Sequence, residues 1–198
     1  VNGLSKLEIE AKDTIDGIEN ILVTYDVIKK LSMTKTPQKV MGVCRIQEEE
    51  TSDAKRVLML DGIKDPGNMG TLIRTAAAFS CDVIYCSYDC VDIYNDKVIR
   101  ATQGAIYHIS IIRGSLSEVI KKYQSQGITI IGTNVNQATM LSTFVKPKSY
   151  ALVLGNEARG ISEALTSLVD VNVKIEINQA IESLNVAVAG AIILHYLK

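Results

Sequence analysis

Three short stretches hold polar residues at spacings that could do chemistry. In DPGNMGTLIRTAAAF (65–79), Asn68 and Arg74 stand on an otherwise small and apolar segment. An arginine on such a surface calls for an anion, whether a carboxylate partner or a phosphate. In LVLGNEARGIS (152–162), Gly155 and Gly160 bracket Glu157 after an apolar run. The glycine spacing invites comparison with a triphosphate loop, but Ile161 stands where that loop needs its lysine. Glu157 would also set a negative charge inside a phosphate cradle, which argues against a nucleoside-triphosphatase. The glycines still allow close backbone approach to a ligand, and the acid suits one bearing hydroxyls or positive charge. In IEINQAIESLNVAVAGAIILHYL (175–197), Glu182, Ser183 and Asn185 cluster at the mouth of an apolar helix.

These stretches need elements to position them. From residue 56 onward, β-branched runs alternate with helical patterns. VLML (57–60), DVIYC (82–86), IYHISII (106–112), ITIIGT (128–133), YALVLG (150–155) and VNVKIEI (171–177) read as strands. Helices are expected near 69–80, 93–101, 115–126, 161–168 and 183–197. Strands apolar on both faces, spaced by helices, predict an α/β fold with a mainly parallel sheet and helices on both faces. Each chemical stretch then falls where a strand hands over to a helix. Asn68 is a candidate cap for its helix and Ser183 for the last one. Gly70, inside the first turn, costs about 1 kcal/mol against alanine and asks for a reason. The dinucleotide fingerprint GxGxxG is absent after the first strand of this domain.

Residues 1–50 differ in pattern: a helix, a short strand (ILVTY, 21–25), a second helix and a strand (VMGVCRI, 40–46). The polar run EEETSDAK (48–55) reads as a linker, giving a partial N-terminal domain at 1–50 and a main domain at 51–198. The chain starts at Val1, and further residues are expected upstream. Its net charge of −1 supplies no global attraction for nucleic acid, so an RNA partner would need a local basic face. Cys44, Cys81, Cys86 and Cys90 lack C-x-x-C spacing, and His108 and His195 lie far off in sequence. That excludes the common zinc patterns and fits reduced thiols in a cytoplasmic protein. The longest apolar run, NVAVAGAIILHYL, is shorter than the ~20 residues of a membrane span.

Taken together, DPGNMGTLIRTA, LVLGNEARGIS and IEINQAIESLNVAVAGAIILHY resemble, in order, the three signatures of the SpoU (TrmH-like) RNA ribose 2′-O-methyltransferases of the SPOUT superfamily. The resemblance covers roughly residues 56–198, and RATQGAIYHISI (100–111) is similar to the family's intervening segment, with Thr102 where serine is usual. It implies a C-terminal deep trefoil knot, a homodimer through the knot region, and S-adenosylmethionine as cofactor with no metal. It implies a catalytic set of Asn68, Arg74, Glu157, Ser183 and Asn185. Cofactor contacts are expected from Thr133, Asn134, Leu154, Gly155, Asn156, Gly160, Ile175, Ile177, Leu184 and Asn185. LSMTKTPQKVMGV (31–43) resembles the tail of a ribosomal-protein-like RNA-recognition domain, which favours large-subunit rRNA over tRNA as substrate. Glu176 and Gln179 replace a usual proline and glycine, and Ala158 a frequent glycine. The first two departures carry the competing reading, a non-catalytic RNA-binding or ribosome-assembly factor that kept the fold. A resistance enzyme guarding the ribosome would use the same chemistry.

Overall fold

The computed structural model describes residues 17, 19–46, 53–134 and 138–198. The chain divides into two compact units, Val1–Glu48 and Glu49–Lys198. In the first, helix α1 (Tyr25–Leu31) buries only Ile28. The expected strands at 21–25 and 40–46 do not form: those described residues are coil up to Tyr25, where α1 begins. Their apolar side chains lie open to solvent, Leu22 at 71% and Ile46 at 67%. A strand needs a neighbour to pair with, and β-propensity alone does not make one. The helix expected before residue 20 and most of the linker lie outside the described residues.

The second unit is a parallel sheet whose strands, among the described residues, are β1 (Arg56–Leu60), β2 (Val83–Cys86), β3 (Ser110–Arg113), β4 (Thr129–Gly132), β5 (Thr139–Met140), β6 (Tyr150–Leu154) and β7 (Val171–Lys174). Their spatial order is β3-β2-β1-β6-β4-β7-β5, with every pairing parallel. Helices are α2 (Pro66–Ala78), α3 (Asp96–Thr102), α4 (Leu116–Ser125), α5 (Glu163–Thr166) and α6 (Val186–Leu197). The central strands alternate between two cores. Leu58, Leu60, Ile84, Leu152 and Leu154 pack with residues of α2, α3 and α6, while Val57, Met59, Val83, Ala151 and Val153 pack with α4 and α5. Both faces are covered, which is why these strands are apolar throughout.

Several bounds differ from the sequence reading, each for a local reason. The strand expected at 106–112 begins only at Ser110, because Ala105–Tyr107 forms a 3₁₀ turn after the left-handed residues Gln103 and Gly104. β7 stops at Lys174, where its pairing to the two-residue β5 ends. That edge strand is too short and polar to carry a periodic signal. The fifth helix shrinks to Glu163–Thr166, and the last starts at Val186 rather than 183. β6 is laid between β1 and β4 although β4 precedes it in sequence. No helix among the described residues is long and apolar enough to cross a membrane.

Candidate active site

Because the strands are parallel, the loops after β1, β4, β6 and β7 all leave from one edge of the sheet, and these four strands are neighbours. In open α/β sheets, the crevice outside the carboxyl ends of the strands is where ligands bind. The loop after β1 is closed by Asp65, which caps α2 by accepting from the Asn68 backbone N–H at 2.8 Å, with Pro66 at the first helical position. Asn68 is therefore not the cap, and its side chain is released for other work. Gly70 also finds its reason in packing. A Cβ there would lie 2.3 Å from the Ala101 Cβ and 2.9 Å from the Val98 carbonyl oxygen, so the glycine lets α3 lie against α2.

Asn68 is the centre of a chain of amides. The Ala187 and Val188 backbone N–H groups donate to Asn185 Oδ1, at 2.9 and 3.3 Å. Asn185, not Ser183, is thus the N-cap of α6. With its oxygen so engaged, Asn185 must present Nδ2 outward, and it donates to Asn68 Oδ1 at 2.9 Å. That in turn fixes Asn68 Nδ2 towards Glu157 Oε1, also at 2.9 Å. The direction of every amide follows from the one before it, and the relay ends on a carboxylate that only accepts when ionised. Residues 89 and 117 apart in sequence are brought together at one edge.

Glu157 sits on a tight loop after β6. Asn156 and Gly160 bond to each other in both directions, at 2.9 and 2.8 Å between backbone N and O. The Asn156 side chain accepts from Ala158 N and Arg159 N and donates to the Gly62 carbonyl at 2.8 Å, clamping this loop to the one after β1. Gly160 has φ +70°, open to glycine without strain. A Cβ on Gly155 would fall 2.1 Å from Gly160 C and Ile161 N. The spacing that suggests a phosphate loop is the closure of a hairpin turn. Asp61, which the sequence reading passes over, adds a bond from Ser162 N to its Oδ2 at 2.8 Å. An acid at a strand end followed by glycine is the signal that could have pointed to it.

The remaining candidates divide. Arg74 is exposed on α2 and makes no hydrogen bond or ion pair among the described residues, leaving its guanidinium available. Ser183 is exposed two residues before the cap. Thr133 Oγ1 donates to the Val153 carbonyl at 3.4 Å, and Asn134 N donates to Asn172 Oδ1 at 3.2 Å. The Leu154 side chain is core, packed where a Cβ on Gly190 would meet it, so only its backbone faces the edge. Ile175 and Leu184 are half-buried, and Ile177 is 36% exposed. None of these three makes a backbone hydrogen bond within the described residues. Half-buried aliphatic side chains beside unused backbone donors and acceptors suit a flat, apolar, hydrogen-bonding group such as adenine. Glu176 points elsewhere: Ser142 Oγ donates to it, and that bond holds its carboxyl below the ordinary range. Among the described residues, no group of His, Cys, Asp or Glu could hold a metal ion. An open cleft of about 610 Å³ lined by Lys55, Arg56, Lys148 and Tyr150 lies at the opposite edge of the sheet, where β1 and β6 begin, away from this chemistry.

Residues 55–195 match the SpoU rRNA Methylase family. The chain is 34% identical to the 23S rRNA (guanosine(2553)-2′-O)-methyltransferase RlmP of Bacillus subtilis, over 94% of this chain and 75% of that protein. Among solved structures it resembles an AdoMet-bound rRNA methyltransferase from Sinorhizobium meliloti, with TM-score 0.82 and 27% identity over 91% of this chain and 72% of the other. It also shares the fold of the SpoU methyltransferase AviRb from Streptomyces viridochromogenes, with TM-score 0.85 and 23% identity over 98% of this chain and 82% of the other.

Proposed function

The chain belongs to the SpoU rRNA methylase family, and from that premise we propose that it transfers a methyl group from S-adenosylmethionine to a ribose 2′-hydroxyl of large-subunit rRNA. The observation that carries this reading is the relay Asn185–Asn68–Glu157, which joins all three family segments at the ligand-binding edge of the sheet. The N-terminal unit, with LSMTKTPQKVMGV, supports rRNA as the substrate.

Bound S-adenosylmethionine supplies an electrophilic methyl on a sulfonium. The protein's part is placement, since displacement needs the attacking oxygen and the methyl carbon in line. Backbone groups of Ile175, Ile177 and Leu184, with Thr133, Asn134 and the Gly155–Gly160 turn, form the cofactor wall. Glu157, held by Asn68, has its second oxygen left to orient a ribose hydroxyl. A guanidinium is too weak a base to take the hydroxyl proton. Arg74 therefore orients an RNA phosphate and stabilises the negative charge that builds on the 2′-oxygen as its proton passes to solvent and it takes the methyl, S-adenosylhomocysteine being the leaving group. Ser183 lines the same mouth.

The protein acts as a homodimer in the cytoplasm. Val188 (49%) and Ile192 (39%), one turn apart on α6, leave an apolar strip that supports a subunit contact. The late insertion of β6 between β1 and β4, followed by α6 crossing back onto α2, supports the knotted path of the family. The test is calorimetric titration with S-adenosylhomocysteine beside a methyl-transfer assay on 23S rRNA. Wild type binds one cofactor per chain and methylates, and Arg74→Ala binds cofactor but does not methylate. Binding without any transfer by wild type would favour the non-catalytic reading.

A further inference from the structure

We propose that Tyr88, with Lys64 and Arg159, forms a platform for an unpaired nucleotide neighbouring the one methylated; this rests on the methyltransferase reading and names part of its RNA contact. Tyr88 lies on the loop after β2, the strand beside β1, at the same edge of the sheet as the relay. The residues around it are hydrogen-bonded or buried. Ser87 Oγ accepts from Gly62 N at 2.9 Å and donates to Asp89 Oδ1 at 2.5 Å, and Cys90 is buried. Tyr88 points outward, 71% exposed, on a loop tied down by these bonds. The contact is close enough that a Cβ on Gly62 would fall 2.9 Å from Asp89 Oδ2.

Asp89 also gathers two cations from the flanking loops. Lys64 Nζ lies 3.6 Å from Oδ2 and donates to the Asp89 carbonyl, while Arg159 is 4.0 Å from Oδ2. Lys64 precedes the Asp65 cap, and Arg159 is two residues from Glu157 in the same clamped turn. Their side chains remain 56% and 74% exposed, and ion pairs at such distances and exposure bind weakly, so both charges stay accessible from solvent. An outward aromatic ring on a hydrogen-bonded loop, with two solvent-exposed cations on adjacent loops, matches how single-stranded RNA is gripped: a base stacks on the ring and the phosphates meet the cations. Nothing in the core requires a tyrosine at 88.

The test compares wild type, Tyr88→Ala, Tyr88→Phe and Lys64→Ala/Arg159→Ala in methyl transfer to a 23S rRNA fragment, with S-adenosylhomocysteine titration and sedimentation alongside. Tyr88→Ala should raise KM for the RNA about 10-fold with kcat within about 2-fold, and Tyr88→Phe, which keeps the ring, should restore wild-type KM. The double variant should raise KM and flatten its dependence on salt. In the two Tyr88 variants cofactor affinity, melting temperature and oligomeric state should not change. An active wild type whose KM is unmoved by Tyr88→Ala overturns the platform and leaves the methyltransferase reading standing. A change in sedimentation assigns Tyr88 to a subunit contact and overturns it as well. A wild type that neither binds nor methylates rRNA removes both readings together.

Discussion

Replacing Gly155 by alanine should be far more damaging than the same change at Gly190 or Gly160. At Gly155 the new Cβ would stand 2.1 Å from Gly160 C and Ile161 N and 2.3 Å from Gly160 O, all backbone. Ordinary contact begins near 3.4 Å, so the returning strand of the turn must retreat by more than an ångström. That movement breaks the paired Asn156–Gly160 bonds and the Ser162–Asp61 bond, each worth about 1 kcal/mol net. With overpacking of 1–3 kcal/mol added, the cost is about 4–6 kcal/mol, or roughly 10–20 °C in melting temperature for a domain of this size. At Gly190 the Cβ meets only the side-chain tips of Leu154 and Leu72, at 2.7 and 2.8 Å. Those can rotate, and alanine's helix propensity returns about 1 kcal/mol, so the net loss is about 1 kcal/mol. Gly160→Ala meets open space but a φ of +70°, which costs ~1–2 kcal/mol. Thermal melts of the three variants, with cofactor titration, check the order; Gly155→Ala should also lose S-adenosylhomocysteine affinity and Gly190→Ala should keep it. A Gly155→Ala protein melting within 2–3 °C of wild type would refute the packing argument, since that shift corresponds to about 1 kcal/mol.

Asn68→Ala should cut methyl transfer at least about 100-fold, as loss of a transition-state positioning group does, while stability falls by under ~1 kcal/mol because water replaces the exposed bonds; kinetics and melts on one preparation decide. Asn68→Asp should be worse still, because it sets a second carboxylate against Glu157. Asp89 has its carboxyl held below the ordinary range, chiefly by the Ser87 hydroxyl. A lowered folded-state value stabilises above the unfolded carboxylate range and fades as pH falls through the folded one. The melting difference between wild type and Asp89→Asn should thus be present at pH 7 and vanish in acid. Burial pushes the Cys81 thiol up to about 12, so iodoacetamide at pH 8 should label exposed Cys44 and spare Cys81 in native protein, as read by mass spectrometry.

The parallel, doubly covered sheet was legible because Val57–Leu60 and Tyr150–Leu154 are apolar at every position, which a one-sided sheet does not allow. Strand order was not legible, since periodicity is local and nothing in ITIIG says that a later strand will slot beside it. The cap assignments failed for a related reason. Asp65, Asn68, Ser183 and Asn185 are all good capping types, and only the backbone path selects Asp65 and Asn185. Within the site, residue types advertised Asn68, Arg74 and Glu157. What the sequence could not show is that Asn156 is a clamp between two loops, or that the glycine pair around Glu157 closes a turn. The clamp depends on Gly62, some ninety residues away.

The most direct test of the whole account is to incubate the protein with S-adenosylmethionine and unmodified 23S rRNA, then map the modified nucleotide and the position of the new methyl. Wild type should leave one nucleotide carrying a 2′-O-methyl, and Arg74→Ala none. A methyl found on a base, or ribose methylation that survives Arg74→Ala, would contradict it.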